Sequence, residues 1–180
     1  MTVCVDVDGV LNELQESFIQ YVENIGFRFN YDYCNYYDLS KGIMASRDEQ
    51  KHIQNTIFTD DYFWLTLSPS MNSYTGLQYL NDNFNTFITT QPYDEHNKNV
   101  KLTWLSQHFP FISQKQVIFS DTKWHLSGDI IIEDKPHTLE KCLEHDWIAI
   151  KKLQPYNIQS NASYELHNWN EIENIMKGIV

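Results

Sequence analysis

Residues Thr2–Asn12 have the sequence TVCVDVDGVLN, in which an apolar, β-branched run ends in two carboxylates and a glycine. The run predicts a buried strand over Val3–Val7. Side chains alternate along a strand, so Asp6 and Asp8 would share a face if the strand continued. Gly9 allows a sharp turn and a close approach of the backbone to a ligand. Two carboxylates beside exposed backbone N–H groups suit a hard cation together with a phosphate, so a phosphate-handling site is the first hypothesis.

The bulk properties restrict the class of protein and its partners. The 180 residues suffice for one domain, or one domain with an insertion, with a sizeable core. The formal net charge of −11 argues against nucleic-acid polymers and anionic membranes as partners, because phosphate contacts need Lys and Arg. A small phosphorylated substrate remains compatible with this charge. The sequence leaves the oligomeric state open, with a homodimer among the options.

The sequence also carries information about the compartment. Its apolar runs are too short for a transmembrane helix, and residues 1–5 lack the basic segment of a signal peptide. Cys4, Cys34 and Cys142 have no CxxC spacing, which favours a reducing compartment over a disulfide framework or a zinc site. We therefore expect a soluble cytoplasmic protein.

Strand-like runs alternate with helix-period segments along much of the chain. Strands are predicted at Val3–Val7, Thr86–Thr90, Gln116–Ser120, Asp129–Glu133 and Trp147–Lys151. Helices are predicted at Leu77–Phe84, Glu95–Phe109 and Pro136–His145, and Asn168–Glu171 resembles a capping box that opens a C-terminal helix. Apolar strands that alternate with helices predict an α/β fold, with a doubly wound parallel sheet covered on both faces.

The segment between the first two strands is too long for a single crossover helix. It is rich in Tyr and Phe, and the tyrosines of Tyr31–Tyr37 are interpreted as packing within it. One face of a predicted helix would carry five apolar or aromatic residues, whose spacing fits the helical period: Leu14, Phe18, Tyr21, Val22 and Ile25. We interpret residues 15–72 as a small helical cap inserted after strand 1, and residues 1–14 and 73–180 as the catalytic core. Open α/β sheets bind ligands at the carboxyl ends of their strands, which is where we expect the cap to lie.

Polar residues follow four of the predicted strands. They are Asp6 and Asp8 at the end of the first, Thr89 and Thr90 at the end of the second just before Gln91, Lys123 a few residues after the third, and Glu133 and Asp134 at the end of the fourth. Because the carboxyl ends of parallel strands meet at one edge of a sheet, these side chains are expected to gather at one crevice.

This ordered set resembles the haloacid dehalogenase-like (HAD) superfamily of phosphohydrolases, and the resemblance covers essentially the whole chain. The insertion lies at the position of that superfamily's cap. The chain is most similar to the 5′(3′)-deoxyribonucleotidase family, through YFWL at Tyr62–Leu65, TTQP at Thr89–Pro92, SDTK at Ser120–Lys123, the spacing over Lys123–Pro136, and HNW at His167–Trp169. Glu133 stands where the family usually has Asp, Gln91 where it has a serine-like residue, and Leu14 where it tends to place an aromatic residue.

The resemblance implies an Mg²⁺-dependent phosphomonoesterase with a Rossmann-like HAD core that acts on (deoxy)nucleoside monophosphates. Asp6 would be the nucleophile that forms an aspartyl-phosphate, and Asp8 the general acid and base. Mg²⁺ would bind Asp6, Asp134 and the backbone carbonyl of Asp8, with Glu133 supporting them or serving as an alternative metal contact. The phosphate oxygens would be held by Gly9, Thr90, Gln91 and Lys123.

Each motif also has a purely structural interpretation. An Asp-Gly pair after a strand is often a turn, Thr90 can simply end a strand, and Lys123 can be a solvated surface charge. Glu133 and Asp134 can open a helix, where acids favour the positive end of the dipole. Phe63 and Trp64 are a candidate platform for a nucleotide base, whereas aromatic residues in an insertion usually form its own core.

Two other functions stay open at this stage. One is an HAD phosphatase for another small phosphate ester, such as a sugar phosphate. The other, from a different class, is a catalytically silent HAD-fold binding module. The intact pair Asp6 and Asp8 argues against the silent module, because loss of the nucleophile would be its simplest sequence sign.

Overall fold

One parallel sheet organises the chain, and the computed structural model describes residues Met1–Val180. Its strands are β1 (Thr2–Val5), β2 (Asn85–Thr90), β3 (Val117–Phe119), β4 (Ile130–Glu133), β5 (Ile148–Lys152) and β6 (Tyr164–Leu166). The α-helices are α1 (Leu14–Asn24), α2 (Arg47–Phe58), α3 (Asp61–Leu65), α4 (Ser73–Asn83), α5 (Glu95–His108), α6 (Pro136–Glu144) and α7 (Ile172–Ile179). Short 3₁₀ helices lie at Tyr31–Asn35, Leu39–Gly42, Gln114–Gln116, Lys123–His125, Pro155–Asn157 and Trp169–Glu171. The predicted α/β fold with a parallel sheet is confirmed.

Alternate residues of the central strands pack into two separate apolar clusters. Val5 and Ile132 belong to the larger cluster, which also contains Met176 of α7. Cys4 and Ile131 belong to a smaller cluster that is completed by residues of α6 and β5. Successive side chains of a strand point to opposite faces, so both faces of the sheet are covered. This is why Val3–Val5 of β1 and Ile130–Ile132 of β4 are continuous apolar runs rather than alternating ones.

The strand order β3-β2-β1-β4-β5-β6 changes direction between β1 and β4. The chain builds outward from β1 to β3, returns to place β4 beside β1, and then builds outward to β6. In open α/β sheets the crevice beyond the carboxyl ends of the strands at this point binds ligands. Asp6 and Asp8 lie in the loop just beyond β1, and Glu133 and Asp134 lie at the end of β4. The fold therefore brings both acidic motifs to the switch point of the sheet.

The helices α1, α2 and α3 lie between β1 and α4, within the predicted insertion. Its two ends run side by side: the N–H of Glu13 donates to the carbonyl of Ser68 at 3.0 Å, and the N–H of Ser70 donates to the carbonyl of Leu11 at 2.8 Å. Its apolar residues share the larger cluster with the sheet. The division of the chain at residues 15 and 72 stays a prediction.

The structure adds one strand to the prediction and moves the start of one helix. The strand β6 was not predicted, because three residues at the edge of a sheet provide too short a pattern. The helix α4 begins at Ser73 rather than Leu77, since its first turn buries the small residues Ser73 and Gly76, which carry no apolar signal. The predicted capping box is confirmed: the side chains of Asn168 and Glu171 cap the 3₁₀ turn that leads into α7.

The tyrosine-rich segment is less buried than the sequence suggested. Tyr31, Tyr36 and Tyr37 expose 59%, 52% and 50% of their surface, so they do not form the interior of the insertion. No helix of the structure combines the length and the apolar character needed to cross a membrane.

Candidate active site

A cavity of about 570 Å³ lies between the carboxyl edge of the sheet and the insertion. The sheet side contributes charged residues: Asp6, Asp8, Lys123, Glu133, Asp134 and Lys135. The insertion contributes aromatic and amide side chains, including Tyr37, Gln54, Phe58 and Trp64. A largely apolar wall with a few converging polar groups is typical of a small-molecule site.

Three buried carboxylates form the floor of the cavity. Asp6, Glu133 and Asp134 expose 7%, 0% and 3% of their surface, and one oxygen from each lies within 4.8 Å of the others. Burial and the charge of Glu133 raise the pKa of Asp6 to about 7. Burial and the charges of Glu133 and Asp6 likewise raise the pKa of Asp134 well above its usual range. The structure thus holds three acids closer together than their charges favour.

Lys123 is the cation within this acidic cluster. Its ammonium lies 2.6 Å from Oδ1 of Asp6 and 2.7 Å from Oε2 of Glu133. Burial alone would lower the pKa of Lys123, but the two carboxylates outweigh it and raise that pKa. Lys123 therefore lies within the acidic cluster and is not a solvated surface charge.

Glu133 has both carboxylate oxygens engaged within the protein. Oε2 pairs with Lys123, while Oε1 accepts from the backbone N–H groups of Asp134 and Lys135, each at 3.1 Å. Burial would raise the pKa of Glu133, but these partners lower it overall. Glu133 therefore holds Lys123 and the start of the loop that carries Asp134. These contacts fit the supporting role that was predicted for Glu133.

Asp8 is held from two directions at the edge of the cavity. Its Oδ1 accepts from Nδ2 of Asn12 at 3.1 Å, and its Oδ2 forms an ion pair with the ammonium of Lys101. The same ammonium donates to the Thr90 hydroxyl at 2.9 Å and to the backbone carbonyl of Gln91 at 2.8 Å. Lys101 therefore ties Asp8 to the end of β2 and fixes the direction of its carboxylate.

Lys101 was not among the residues predicted from the sequence. It lies in α5, far along the chain from Asp8, and belongs to no motif at the end of a strand. A usable signal was present, because Lys101 precedes Trp104 by three residues and so shares the buried face of that helix. A lysine on a buried helix face is rarely left without an acidic partner.

Gly9 supplies the turn after Asp8. Its φ of +70° lies in the left-handed region, and a Cβ at this position would lie 2.9 Å from the Tyr156 hydroxyl and would collide with the Asp134 carboxylate. A side chain is therefore excluded. The N–H of Gly9 donates to Oδ1 of Asn12 at 3.0 Å, and the phosphate contact of the backbone near Gly9 stays a prediction.

Thr90 and Gln91 occupy different positions relative to the cavity. Thr90 is fully buried and does not line the cavity, and its hydroxyl accepts from the ammonium of Lys101. The structure therefore places Thr90 behind the lining residues, and its phosphate contact stays a prediction. Gln91 lines the cavity, and its Oε1 lies 3.4 Å from the ammonium of Lys135. Of these two predicted phosphate ligands, only Gln91 is brought to the lining.

Phe63 and Trp64 are also separated by the fold. Phe63 packs edge to face on Tyr21 and against Phe58, and it does not line the cavity, so it belongs to the core of the insertion rather than to a base platform. Trp64 is buried too, but it lines the cavity, and the ammonium of Lys101 lies 5.3 Å from its ring centre. Only Trp64 of this pair is placed to contact a ligand.

Two tyrosines that were not among the predicted site residues also line the cavity. Tyr156, from the loop after β5, donates a hydrogen bond to Oδ2 of Asp134. Tyr37, from the insertion, packs edge to face on Tyr156 with 5.5 Å between ring centres. Burial, together with the charge of Asp134, raises the pKa of Tyr156 well above its ordinary range.

The family model and the curated relatives that match this chain all describe nucleotidases. A family model described as "5′ nucleotidase, deoxy (Pyrimidine), cytosolic type C protein" matches residues 1–180. A 5′(3′)-deoxyribonucleotidase of Bacillus subtilis strain 168 is 25% identical over 175 residues, which cover 95% of each chain. A 5′(3′)-deoxyribonucleotidase of Clostridium acetobutylicum is 25% identical over 146 residues, covering 77% of this chain and 76% of that protein.

Solved structures share the fold at lower sequence identity. A HAD-hydrolase of Bacillus subtilis has a TM-score of 0.63 at 15% identity, with 97% of each chain covered. A HAD family hydrolase of Deinococcus radiodurans R1 has a TM-score of 0.69 at 12% identity, covering 98% of this chain and 95% of that one. Because the family model spans the whole chain, the chain belongs to the deoxy (pyrimidine), cytosolic type C 5′ nucleotidase family and is a phosphoric monoester hydrolase, with the fold of HAD hydrolases.

Proposed function

We propose that this chain hydrolyses (deoxy)nucleoside monophosphates with the help of a divalent cation, through a phosphoryl group carried transiently on Asp6. The observation that carries the proposal is the position of Asp6 on the cavity floor, between the ammonium of Lys123 and the carboxylate of Asp134. Asp8 lies two residues further on and faces the same cavity, with 20% of its side chain exposed. A nucleophile and a second carboxylate that can transfer protons thus share one site.

In the first half of the reaction, a carboxylate oxygen of Asp6 would attack the phosphorus of the ester. The bond from phosphorus to the ester oxygen breaks, and protonated Asp8 gives its proton to that oxygen as the alcohol leaves. Lys123 is placed to balance negative charge on the transferred phosphoryl group. Lys101 and Asn12 keep the Asp8 carboxylate in one orientation, so proton transfer needs no search by the side chain.

In the second half, Asp8 would take a proton from a water molecule as that water attacks the phosphorus. The bond from phosphorus to the Asp6 oxygen breaks, phosphate leaves, and both aspartates return to their starting states. The same residue serves as acid and then as base. Its carboxylate therefore has to stay within reach of both the leaving oxygen and the incoming water, which fits its position at the cavity edge.

The donor set of the cavity fits a divalent cation with oxygen ligands. On the cavity floor, the three buried carboxylates of Asp6, Glu133 and Asp134 surround one buried ammonium, that of Lys123, so full ionisation leaves an excess of negative charge there. Such all-oxygen sets suit Mg²⁺ or Mn²⁺ rather than zinc. Asp6, Asp134 and the backbone carbonyl of Asp8 would hold the ion. A bound Mg²⁺ would supply positive charge that lets an anionic phosphate approach these carboxylates.

The nucleoside would occupy the insertion side of the cavity. Trp64, Phe58 and Tyr93 offer aromatic surface there, and Gln54 offers an amide. Aromatic faces stack on bases, and amides can recognise their edges. The names of the relatives, 5′(3′)-deoxyribonucleotidases, support this substrate class. The three cysteines are free, which suits action in a reducing compartment such as the cytoplasm.

A substrate panel tests the proposal. Phosphate release is measured with 5′ and 3′ (deoxy)nucleoside monophosphates and with sugar phosphates, each in Mg²⁺ and in EDTA. We expect cation-dependent release that is fastest with a nucleotide. Faster release from a sugar phosphate would favour the rival substrate class. Release that EDTA does not reduce would contradict the role of the cation, and no release from any ester would favour a binding module.

The stability of the metal-free protein should fall as pH rises through neutrality. Asp6 has a pKa of about 7 in the folded protein against an ordinary value of 3.8, so the folded state binds this proton more tightly. Its contribution to stability is therefore complete below pH 3.8 and lost as pH rises through 7. In EDTA we expect a lower Tm at pH 8 than at pH 6, each kcal/mol corresponding to roughly 2–4 °C.

Added Mg²⁺ should reverse this loss, and more at pH 8 than at pH 6, because the cation competes with protons for the same carboxylates. Thermal melts at the two pH values, with EDTA or Mg²⁺, measure both effects. The Asp6→Asn variant serves as the comparison, since it removes one of the two carboxyls with a raised pKa and should make the decline shallower. A wild-type Tm in EDTA that is equal at the two pH values, or higher at pH 8 than at pH 6, would contradict the prediction that ionisation of Asp6 destabilises the metal-free protein.

A further inference from the structure

The loop after β5 brings a tyrosine hydroxyl to the acidic cluster. Tyr156 donates a hydrogen bond to Oδ2 of Asp134, whose other near neighbours in the cluster are the carboxylates of Asp6 and Glu133. A carboxylate that accepts from a fixed donor at one oxygen loses its freedom to rotate. Its second oxygen then remains available to a cation in a defined direction.

The loop that carries Tyr156 is fastened to both acidic loops of the site. Nε2 of Gln154 donates to the carbonyl of Gly9 at 2.6 Å. Nδ2 of the fully buried Asn157 donates to the backbone carbonyl of Asp134 at 2.8 Å and to that of Lys152 at 2.9 Å. These bonds fix the backbone on both sides of Tyr156, so the position of its hydroxyl is set by the same loops that carry the acids.

The insertion contacts Tyr156 through one aromatic ring. Tyr37 meets the Tyr156 ring edge to face, with ring planes at 84°. The ammonium of Lys135, next to Asp134 in sequence, lies 5.5 Å from the Tyr37 ring centre and 3.4 Å from Oε1 of Gln91. Tyr37 is thus held between the core residues Tyr156 and Lys135, and it connects the insertion with the acidic cluster.

A purely space-filling role for Tyr156 does not account for its hydroxyl. A phenylalanine would provide the same ring contact with Tyr37 without burying a polar group, and burial of an unbonded hydroxyl is unfavourable. Here the hydroxyl is directed at a single carboxylate in the acidic cluster. The contact between hydroxyl and carboxylate is therefore the part of this side chain that needs a functional explanation.

We propose that Tyr156 is a positioning residue for the cation site. Its hydroxyl orients the carboxylate of Asp134, and the ring of Tyr37 holds Tyr156 in place. The contact between the insertion and the core is therefore coupled to cation binding. The inference rests on the proposed function only in giving Asp134 to the cation. The coupling is reciprocal, so a bound cation also stabilises the contact between Tyr37 and Tyr156.

Direct titration of the full chain with Mg²⁺ and with Mn²⁺ by calorimetry, without substrate, tests the first part. Tyr156→Phe keeps the ring and removes only the hydroxyl, and we expect its Kd for the cation to rise about tenfold or more. Tyr164→Phe, which removes the hydroxyl of an exposed tyrosine on β6, should bind cations like the wild type. An unchanged Kd for Tyr156→Phe would overturn the proposal.

A second pair of variants tests the contact with the insertion. Tyr37→Leu removes the ring that packs on Tyr156, and we expect its Kd for the cation to rise by about threefold. This effect is smaller than that of Tyr156→Phe because the hydroxyl that contacts Asp134 is still present. Tyr36→Leu, at the neighbouring half-exposed tyrosine, should leave the Kd unchanged. If Tyr37→Leu binds cations like the wild type, the coupling to the insertion is wrong.

The outcomes separate this inference from the proposed function. If the wild type binds cations and Tyr156→Phe binds them more weakly, but no ester in the panel releases phosphate, the proposed function fails and the positioning role stands. If the panel shows cation-dependent release while Tyr156→Phe binds cations normally, the positioning role fails alone. A wild-type chain that binds neither cation would overturn both.

Discussion

Asp6→Asn is expected to lower cation-dependent phosphate release by at least about 10⁴-fold, as loss of a nucleophile does in other covalent catalysts. An amide oxygen is a much weaker nucleophile than a carboxylate, and it would not form the acyl-phosphate bond on which the second half of the reaction depends. The change is nearly isosteric, so the lining of the cavity should keep its shape.

The same variant should be at least as stable as the wild type in EDTA at pH 8. Asp6 lies in a cluster of three buried carboxylates, and removal of its charge relieves repulsion with Glu133 and Asp134. Lys123 does not lose its only partner, because Glu133 remains 2.7 Å away. Activity and stability thus change in opposite directions, which separates a missing nucleophile from a damaged fold.

Initial rates on the best substrate of the panel and thermal melts in EDTA measure the two effects. Asp82→Asn, which makes the same change at an exposed position of α4, is the matched control and should alter neither. A residual rate for Asp6→Asn within about tenfold of the wild type would contradict the covalent role of Asp6. A large drop in Tm would instead mean that the Asp6 charge is stabilised by its surroundings.

The part of the site carried by strand ends was predictable from the sequence. β1 and β4 are buried on both faces, so each contains a continuous apolar run. The first polar residues after these runs, Asp6 and Glu133, line the cavity. Parallel strands end at one edge, so the order of the motifs was enough to bring Asp134 and Lys123 to Asp6. This reasoning needs only the period of a strand and the direction of the sheet.

The residues that orient these acids were not predictable in the same way. Lys101 reaches Asp8 because of the rotation of α5 about its axis, and Tyr156 reaches Asp134 because of a loop held by amide side chains. Neither geometry leaves a periodic pattern in the sequence. Phe63 and Trp64 show the same limit, since two adjacent aromatic residues of α3 were separated into core and cavity lining by the turn of that helix.

Lys123→Met is expected to reduce both activity and stability, in contrast with Asp6→Asn. Its ammonium is the cation shared by Asp6 and Glu133, and loss of one partner from a buried ion pair typically costs about 3–5 kcal/mol. The carboxylates then repel each other without compensation in the metal-free protein. Phosphate release should also fall, since the phosphoryl group would lose a positive neighbour.

Urea unfolding in EDTA and initial rates measure these losses, and Lys51→Met on the exposed face of α2 provides the control. The companion variant Lys123→Met/Glu133→Gln separates the two causes. Glu133→Gln removes the buried charge that Lys123→Met leaves without a partner, so the double variant should regain part of the lost stability. It should not regain activity, because no cation replaces Lys123 at the phosphate. Recovery of both would mean that Lys123 serves only the fold, whereas a Lys123→Met chain as stable as the wild type would mean that its two ion pairs contribute little.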